Sequence, residues 1–131
     1  MSLLMLDTDM SSYIIRLRPV SLLERFEKHA PELCVSAITA AELRSSADKA
    51  GKPKLTDLVE QFLGRLQVLD WSSEVTFHYA RIRAALDSVR KPMGNLDLLI
   101  AAHAICESAA IVTNNVRLFE NVPGLKIEAW K

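Results

Sequence analysis

LLMLDTD, residues 3–9, is a short apolar run cut off by Asp7-Thr8-Asp9. An unbroken run of this length, with no polar residue at alternate positions, fits a strand buried on both faces. The form returns in LCVS (33–36), LQVL (66–69) and AIVT (110–113), and a last strand is expected over 125–129. Between these runs the apolar period lengthens to that of a helix. Val75, Tyr79, Ile82, Leu86 and Val89 share one face at 3.6-residue spacing, and that helix stops before Pro92 and Gly94. LLIAAHAIC (98–106) is apolar nearly all round, so its helix belongs wedged against the sheet, with Asn95 as its cap. ADKAGKPK (47–54), holding Gly51 and Pro53, reads as a connection between two helices rather than a domain boundary. Strands alternating with helices predict an α/β fold with a mainly parallel central sheet covered on both faces.

The 131 residues, half of them hydrophobic, suffice for one domain with its own core. Sixteen Lys and Arg balance sixteen Asp and Glu, so nonspecific coating of nucleic acid is not expected, although a local basic rim around an acidic site is allowed. Cys34 and Cys106 each lie in an apolar run outside any CxxC pattern, as buried reduced thiols of a cytoplasmic protein would. No apolar run approaches the ~20 residues of a membrane span, and the first residues meet acid too early for a signal peptide.

In an open parallel sheet, ligands bind beyond the carboxyl ends of the strands. Asp7, Thr8 and Asp9 follow the first strand, Asn114 and Asn115 follow the strand ending at Thr113, and Glu42 and Asp97 lie near helix starts that open toward the same crevice. Carboxylate and amide oxygens are hard donors suited to Mg²⁺ or Mn²⁺, which can activate water against a phosphodiester. Each acid also has a local alternative. Asp7 or Asp9 could cap a helix beginning near Met10, Thr39-Ala-Ala-Glu42 reads as a capping box, Asp97 suits a helix first turn, and Asp70 suits the helix entrance after LQVL. His29, His78 and His103 share no metal-ligand spacing, and His103 reads as a hydrogen-bonded interior residue.

LDTD, SAITAAEL around Glu42, GNLDLLIAAHA around Asp97, and IVTNNVRLFENVPGLKIEAW together resemble the PIN-domain toxins of the VapC family, over the whole chain as a single domain of residues 1–131. The resemblance implies an α/β/α sandwich with a mainly parallel central sheet and an endoribonuclease dependent on Mg²⁺ or Mn²⁺. It implies a VapB-like antitoxin as partner, a homodimer, and, through the tRNA endonuclease subgroup, a cut in a tRNA anticodon region. By position, Asp7 and Asp97 would hold the metal, Glu42 would complete the acidic set, and Thr8 and Thr113 would be supporting hydroxyls. Asn115 stands where the family often has a fourth acid, so an amide replaces a charge.

Three other readings compete. LLMLDTDMS satisfies the DxDx[ST] run of a haloacid-dehalogenase-type phosphatase, but no suitable lysine precedes the late strand, which leads into Asn114-Asn115. A signalling receiver would use Asp70 as phosphoacceptor and leave Glu42 and Asp97 without a role. A catalytically silent binding module would leave all the acids without one.

Overall fold

The computed structural model describes residues 2–130; Met1 and Lys131, the ends of the domain expected from sequence, lie outside the described residues. The strands are β1 (Leu4–Leu6), β2 (Leu33–Ser36), β3 (Gln67–Leu69), β4 (Ala110–Thr113) and β5 (Lys126–Ala129). The helices are α1 (Thr8–Leu17), α2 (Val20–His29), α3 (Ala37–Ala50), α4 (Pro53–Gly64), α5 (Val75–Ser88), α6 (Asn95–Cys106) and α7 (Val116–Phe119). All five strands are parallel, in the order β3-β2-β1-β4-β5. The first strand in sequence is therefore the middle of the sheet, paired through Leu4↔Leu33 on one side and Leu4↔Ala110 on the other.

Side chains alternate across each strand, which divides the core into two layers. Leu4, Leu6, Leu33, Val35 and Val112 pack against α1 to α4 through Ile14, Phe26, Leu43, Val59 and Phe62. Met5, Cys34 and Ile111 face the opposite way, onto Ile82 and Leu86 of α5 and Leu98 and Ile100 of α6. The second layer explains the unpatterned α6: Leu98 and Ile100 to Ala102 are fully buried because the helix is packed against the sheet, α5 and α3. Trp130, also fully buried, ties the chain beyond β5 to the end of β4 through Trp130 N–H donating to Thr113 O at 3.1 Å.

Several local expectations are corrected. β3 is an edge strand with Val68 exposed, not a strand buried on both faces. The α5 stripe stops at Leu86, since Val89 lies past the last helical residue and is 61% exposed. Ser36 caps α3 by accepting from the Ile38 N–H, so Thr39-Ala-Ala-Glu42 lies inside the helix and is not a capping box. Asp70 caps nothing, because α5 begins at Val75 behind Glu74. Asn95 is the first residue of α6 rather than its cap, and its side-chain oxygen accepts instead from Arg83. Cys34 is buried, its thiol pushed up to about 12 by desolvation, but Cys106 is only half-buried. Gly51 at φ +64 closes α3, and the helix–helix connection expected over 47–54 shrinks to Gly51 and Lys52, because 47–50 are the last turn of α3 and Pro53 opens α4.

Candidate active site

Asp7 leaves β1 at its carboxyl end and is 1% exposed. It is the N-cap of α1: Oδ1 accepts from the Met10 N–H at 2.7 Å, and Oδ2 accepts from the Thr113 hydroxyl at 2.6 Å. Thr113 Oγ1 in turn accepts from the Asn115 N–H at 2.9 Å. The two carboxylate oxygens are thereby fixed, one by the first turn of α1 and the other by the end of β4. Desolvation nevertheless dominates, and with the charges of Asp9 and Asp97 it outweighs the two hydrogen bonds, raising the Asp7 pKa to about 6.

Asp97 sits in the first turn of α6, half-buried. Its pKa is raised by desolvation first, then by the charges of Asp9 and Glu42. Glu42, one turn into α3, is anchored by the Thr8 hydroxyl, which donates to Oε1 at 2.7 Å; Thr39 Oγ1 lies 3.1 Å from the same hydroxyl. Four acids from three helices thus converge beyond the middle strand, and the charges that act on Asp7 and Asp97 are all negative. None of the four takes part in an ion pair among the described residues.

Uncompensated carboxylates held together against their own repulsion suit a hard divalent cation. Among the described residues no three His, Cys, Asp or Glu side chains already stand at the distances of a formed metal site. The fit is therefore one of donor chemistry and charge. Asn115 is exposed at the start of α7, with its backbone rather than its amide tied to Thr113. Asp7, Glu42 and Asp97 are brought together; the side chain of Asn115 is not drawn into their hydrogen bonds.

Sequence reading has His103 correctly as a hydrogen-bonded interior residue but passes over its partner, and it passes over the place of Thr39. Thr39, read as a cap, is a buried hydroxyl beside Thr8 and Glu42. His103 and Ser36 form a buried clip between α6 and the start of α3, with His103 Nδ1 2.8 Å from Ser36 Oγ. Burial holds the His103 pKa below the usual histidine value, against smaller raising influences from Glu107 and the Asp70 backbone, and Nε2 closes no hydrogen bond of normal geometry. Ser36 was legible as a polar residue ending an apolar run; its partner 67 residues away was not.

Residues 4–125 match the family model of the PIN domain. The chain is 42% identical over 127 residues to Ribonuclease VapC2 of Haemophilus influenzae (strain Rd), covering 96% of each chain. It is 39% identical over 127 residues to the tRNA(fMet)-specific endonuclease VapC of Salmonella typhimurium, again covering 96% of each. Among solved structures it superposes on DNA-bound VapBC from Salmonella typhimurium with a TM-score of 0.96 at 39% identity and full coverage of both chains. VapBC2 from Rickettsia felis, bound to a DNA fragment from its promoter, gives 0.94 at 36% identity, covering 98% of this chain and 99% of that one. These similarities leave no ground for the phosphatase or receiver readings. The chain belongs to the PIN-domain VapC ribonucleases of toxin–antitoxin systems.

Proposed function

We propose that this protein is a metal-dependent endoribonuclease toxin in which Asp7 and Asp97 hold Mg²⁺ or Mn²⁺ and Glu42 handles the proton of the attacking water. The supporting observation is the convergence of buried and half-buried acids beyond β1, with only negative charges acting on Asp7 and Asp97. A bound divalent ion would supply Lewis acidity toward a phosphate oxygen and make a nearby water easier to deprotonate. The protein's own part is positional. Asp7 is held rigid by Met10 and Thr113, so its oxygens keep one orientation. Glu42 is oriented through Oε1 by Thr8, which leaves Oε2 to accept the proton as water attacks in line. Asn115, carried over by family position, offers a neutral amide to orient water or phosphate at the rim.

The substrate we propose is an unpaired region of structured RNA, where splayed bases can be reached; a tRNA is in keeping with the name of the Salmonella relative, and the anticodon region is carried over from the family resemblance. The partner we propose is a VapB-like antitoxin, as in the VapBC complexes that the fold resembles; the homodimer and the cytoplasm are carried over from the family resemblance. Among the described residues no helix is long and apolar enough to cross a membrane. The test is cleavage of a total tRNA pool by purified protein with Mg²⁺ or Mn²⁺, with EDTA, and with Asp97→Asn. Site-specific cuts that vanish in both controls support the reading; cuts that persist unchanged in EDTA with an equally active Asp97→Asn protein overturn it.

A further inference from the structure

Asp97 lies in a part of α6 that the core does not hold. The buried side chains of the helix begin at Leu98, whereas Asn95 and Leu96 are exposed and Asp97 is half-buried. The N-cap is Gly94, which has no side chain to tie down the free N–H groups of the first turn. A turn of this kind frays unless something else fixes it. Among the described residues, the side-chain hydrogen bond that reaches it from another element comes from α5: Arg83 Nη2 donates to Asn95 Oδ1, two residues before Asp97. Arg83 is itself held. Nη2 also donates to the Tyr79 hydroxyl at 2.9 Å, and the guanidinium carbon lies 5.4 Å from the centroid of the Tyr79 ring, one turn earlier on the same helix. Both side chains are half-buried, and a planar, stacked guanidinium has little freedom left to lose in bonding to Asn95.

The chemistry of the partner matters as much as the hold. Arg44 and Arg65 each bind a glutamate, but Arg83 is in no ion pair among the described residues and gives its hydrogen bonds to two neutral oxygens. A guanidinium bonded to the Asp97 carboxylate itself would fix it and neutralise it at once, leaving less charge for a divalent ion. Through the amide of Asn95 the turn is fixed while the carboxylate keeps its charge. A Cβ at position 94 would stand 3.6 Å from Asp97 Oδ2, so the glycine also leaves the space beside that oxygen open. We propose that Arg83 is a positioning residue for Asp97: backed by Tyr79, it holds the first turn of α6 through Asn95 and so fixes the carboxylate for a divalent ion without pairing with it. This rests on the metal-dependent reading of the acids.

The experiment uses the full chain, with Mn²⁺ as the probe and total tRNA as substrate. Mn²⁺ affinity is measured without RNA, from the loss of the free-ion electron paramagnetic resonance signal; KM and kcat are measured at saturating Mn²⁺, and melting temperature in EDTA. Arg83→Met keeps the apolar stem and removes the guanidinium. Asn95→Ala removes the acceptor at an exposed position and installs a better helix former, so it separates the hydrogen bond from helix stability. Each should weaken Mn²⁺ binding about tenfold, the usual scale for a group that orients a metal ligand. The two together should do no more than either alone, because they break one contact. Arg83→Lys, which can still donate to Asn95, should lose less, and KM for tRNA at saturating Mn²⁺ should stay at its wild-type value in all of them. Wild-type Mn²⁺ affinity in both Arg83→Met and Asn95→Ala would overturn the assignment, whatever happens to the melting temperature in EDTA, and would leave the metal-dependent reading intact. A raised KM in Arg83→Met alone, with wild-type Mn²⁺ affinity, would also overturn it and make Arg83 a contact to the RNA. A wild-type chain that binds no Mn²⁺ would remove the metal-dependent reading itself, and this assignment with it.

Discussion

Asp97 can be explained as a helix-start residue or as one acid among four, and the two explanations give opposite signs. A helix-dipole role is worth roughly 0.3 to 1 kcal/mol, which Asp97→Asn would lose. The pKa of Asp97 is instead raised, by burial and by Asp9 and Glu42, so its charge is a burden on the metal-free protein. Asp97→Asn should therefore melt at the same temperature as wild type or higher in EDTA, yet lose the stabilisation by Mn²⁺ and the RNA cleavage, as thermal scans beside a cleavage assay would record. Asp7 makes a parallel prediction in pH. Its pKa is 3.8 ordinarily and about 6 in the folded protein, so the fold binds the proton more tightly than the unfolded chain does. The resulting stability is full below pH 3.8 and is lost as pH rises through about 6, in total about 3 kcal/mol. Asp7→Asn, melted in EDTA between pH 4 and 8, should lack that fall; a variant with the same pH profile as wild type would assign the fall to other groups. Asp7 and Asp97 were legible in the sequence because they stand at a strand end and a helix start. The influence of Asp9 on both was not, since it depends on how the starts of α1 and α6, from opposite faces of the sheet, meet beyond its carboxyl edge.

At the scale of elements, the strands were easier to read than the helix entrances. Burial on both faces leaves one interpretation for LLML, LCVS and AIVT, and only the edge strand β3 departed from it. Helix starts have competitors. Ser36 and Thr39 both offer a capping oxygen, and Ser36 wins because β2 ends on it and His103 holds it from the other side. That clip sets how α3, with Glu42, lies against α6, with Asp97. Replacing His103 with Leu leaves the Ser36 hydroxyl buried without this partner and should cost about 1 to 3 kcal/mol. Ser36→Ala loses the cap as well and should cost about 1 kcal/mol for that alone. The double variant should fall short of the sum, because the two share one hydrogen bond. Urea unfolding of the four proteins measures the shortfall, and strict additivity would mean that the clip carries no energy.

For the whole molecule, the expected partner supplies the clearest prediction. An open acidic crevice attracts cationic side chains from an antitoxin. The product of an adjacent gene, co-expressed with this chain, should co-purify with it and suppress RNA cleavage at least a hundredfold; free cleavage in the purified complex would count against the toxin–antitoxin assignment for this pair. The sheet order has a consequence in time. β1 is made first but lies in the middle, flanked by β2 and by β4, and Asp7 receives its Thr113 hydrogen bond across 106 positions of sequence. A chain emerging in order shows Asp7, then Glu42, then Asp97, yet β1 stays open on one side until β4 has been made. Contacts between such distant partners are the slow kind to form. The acids therefore come into register late and together, and a growing chain passes most of its synthesis harmless, an interval in which whatever restrains the finished protein can already be waiting for it.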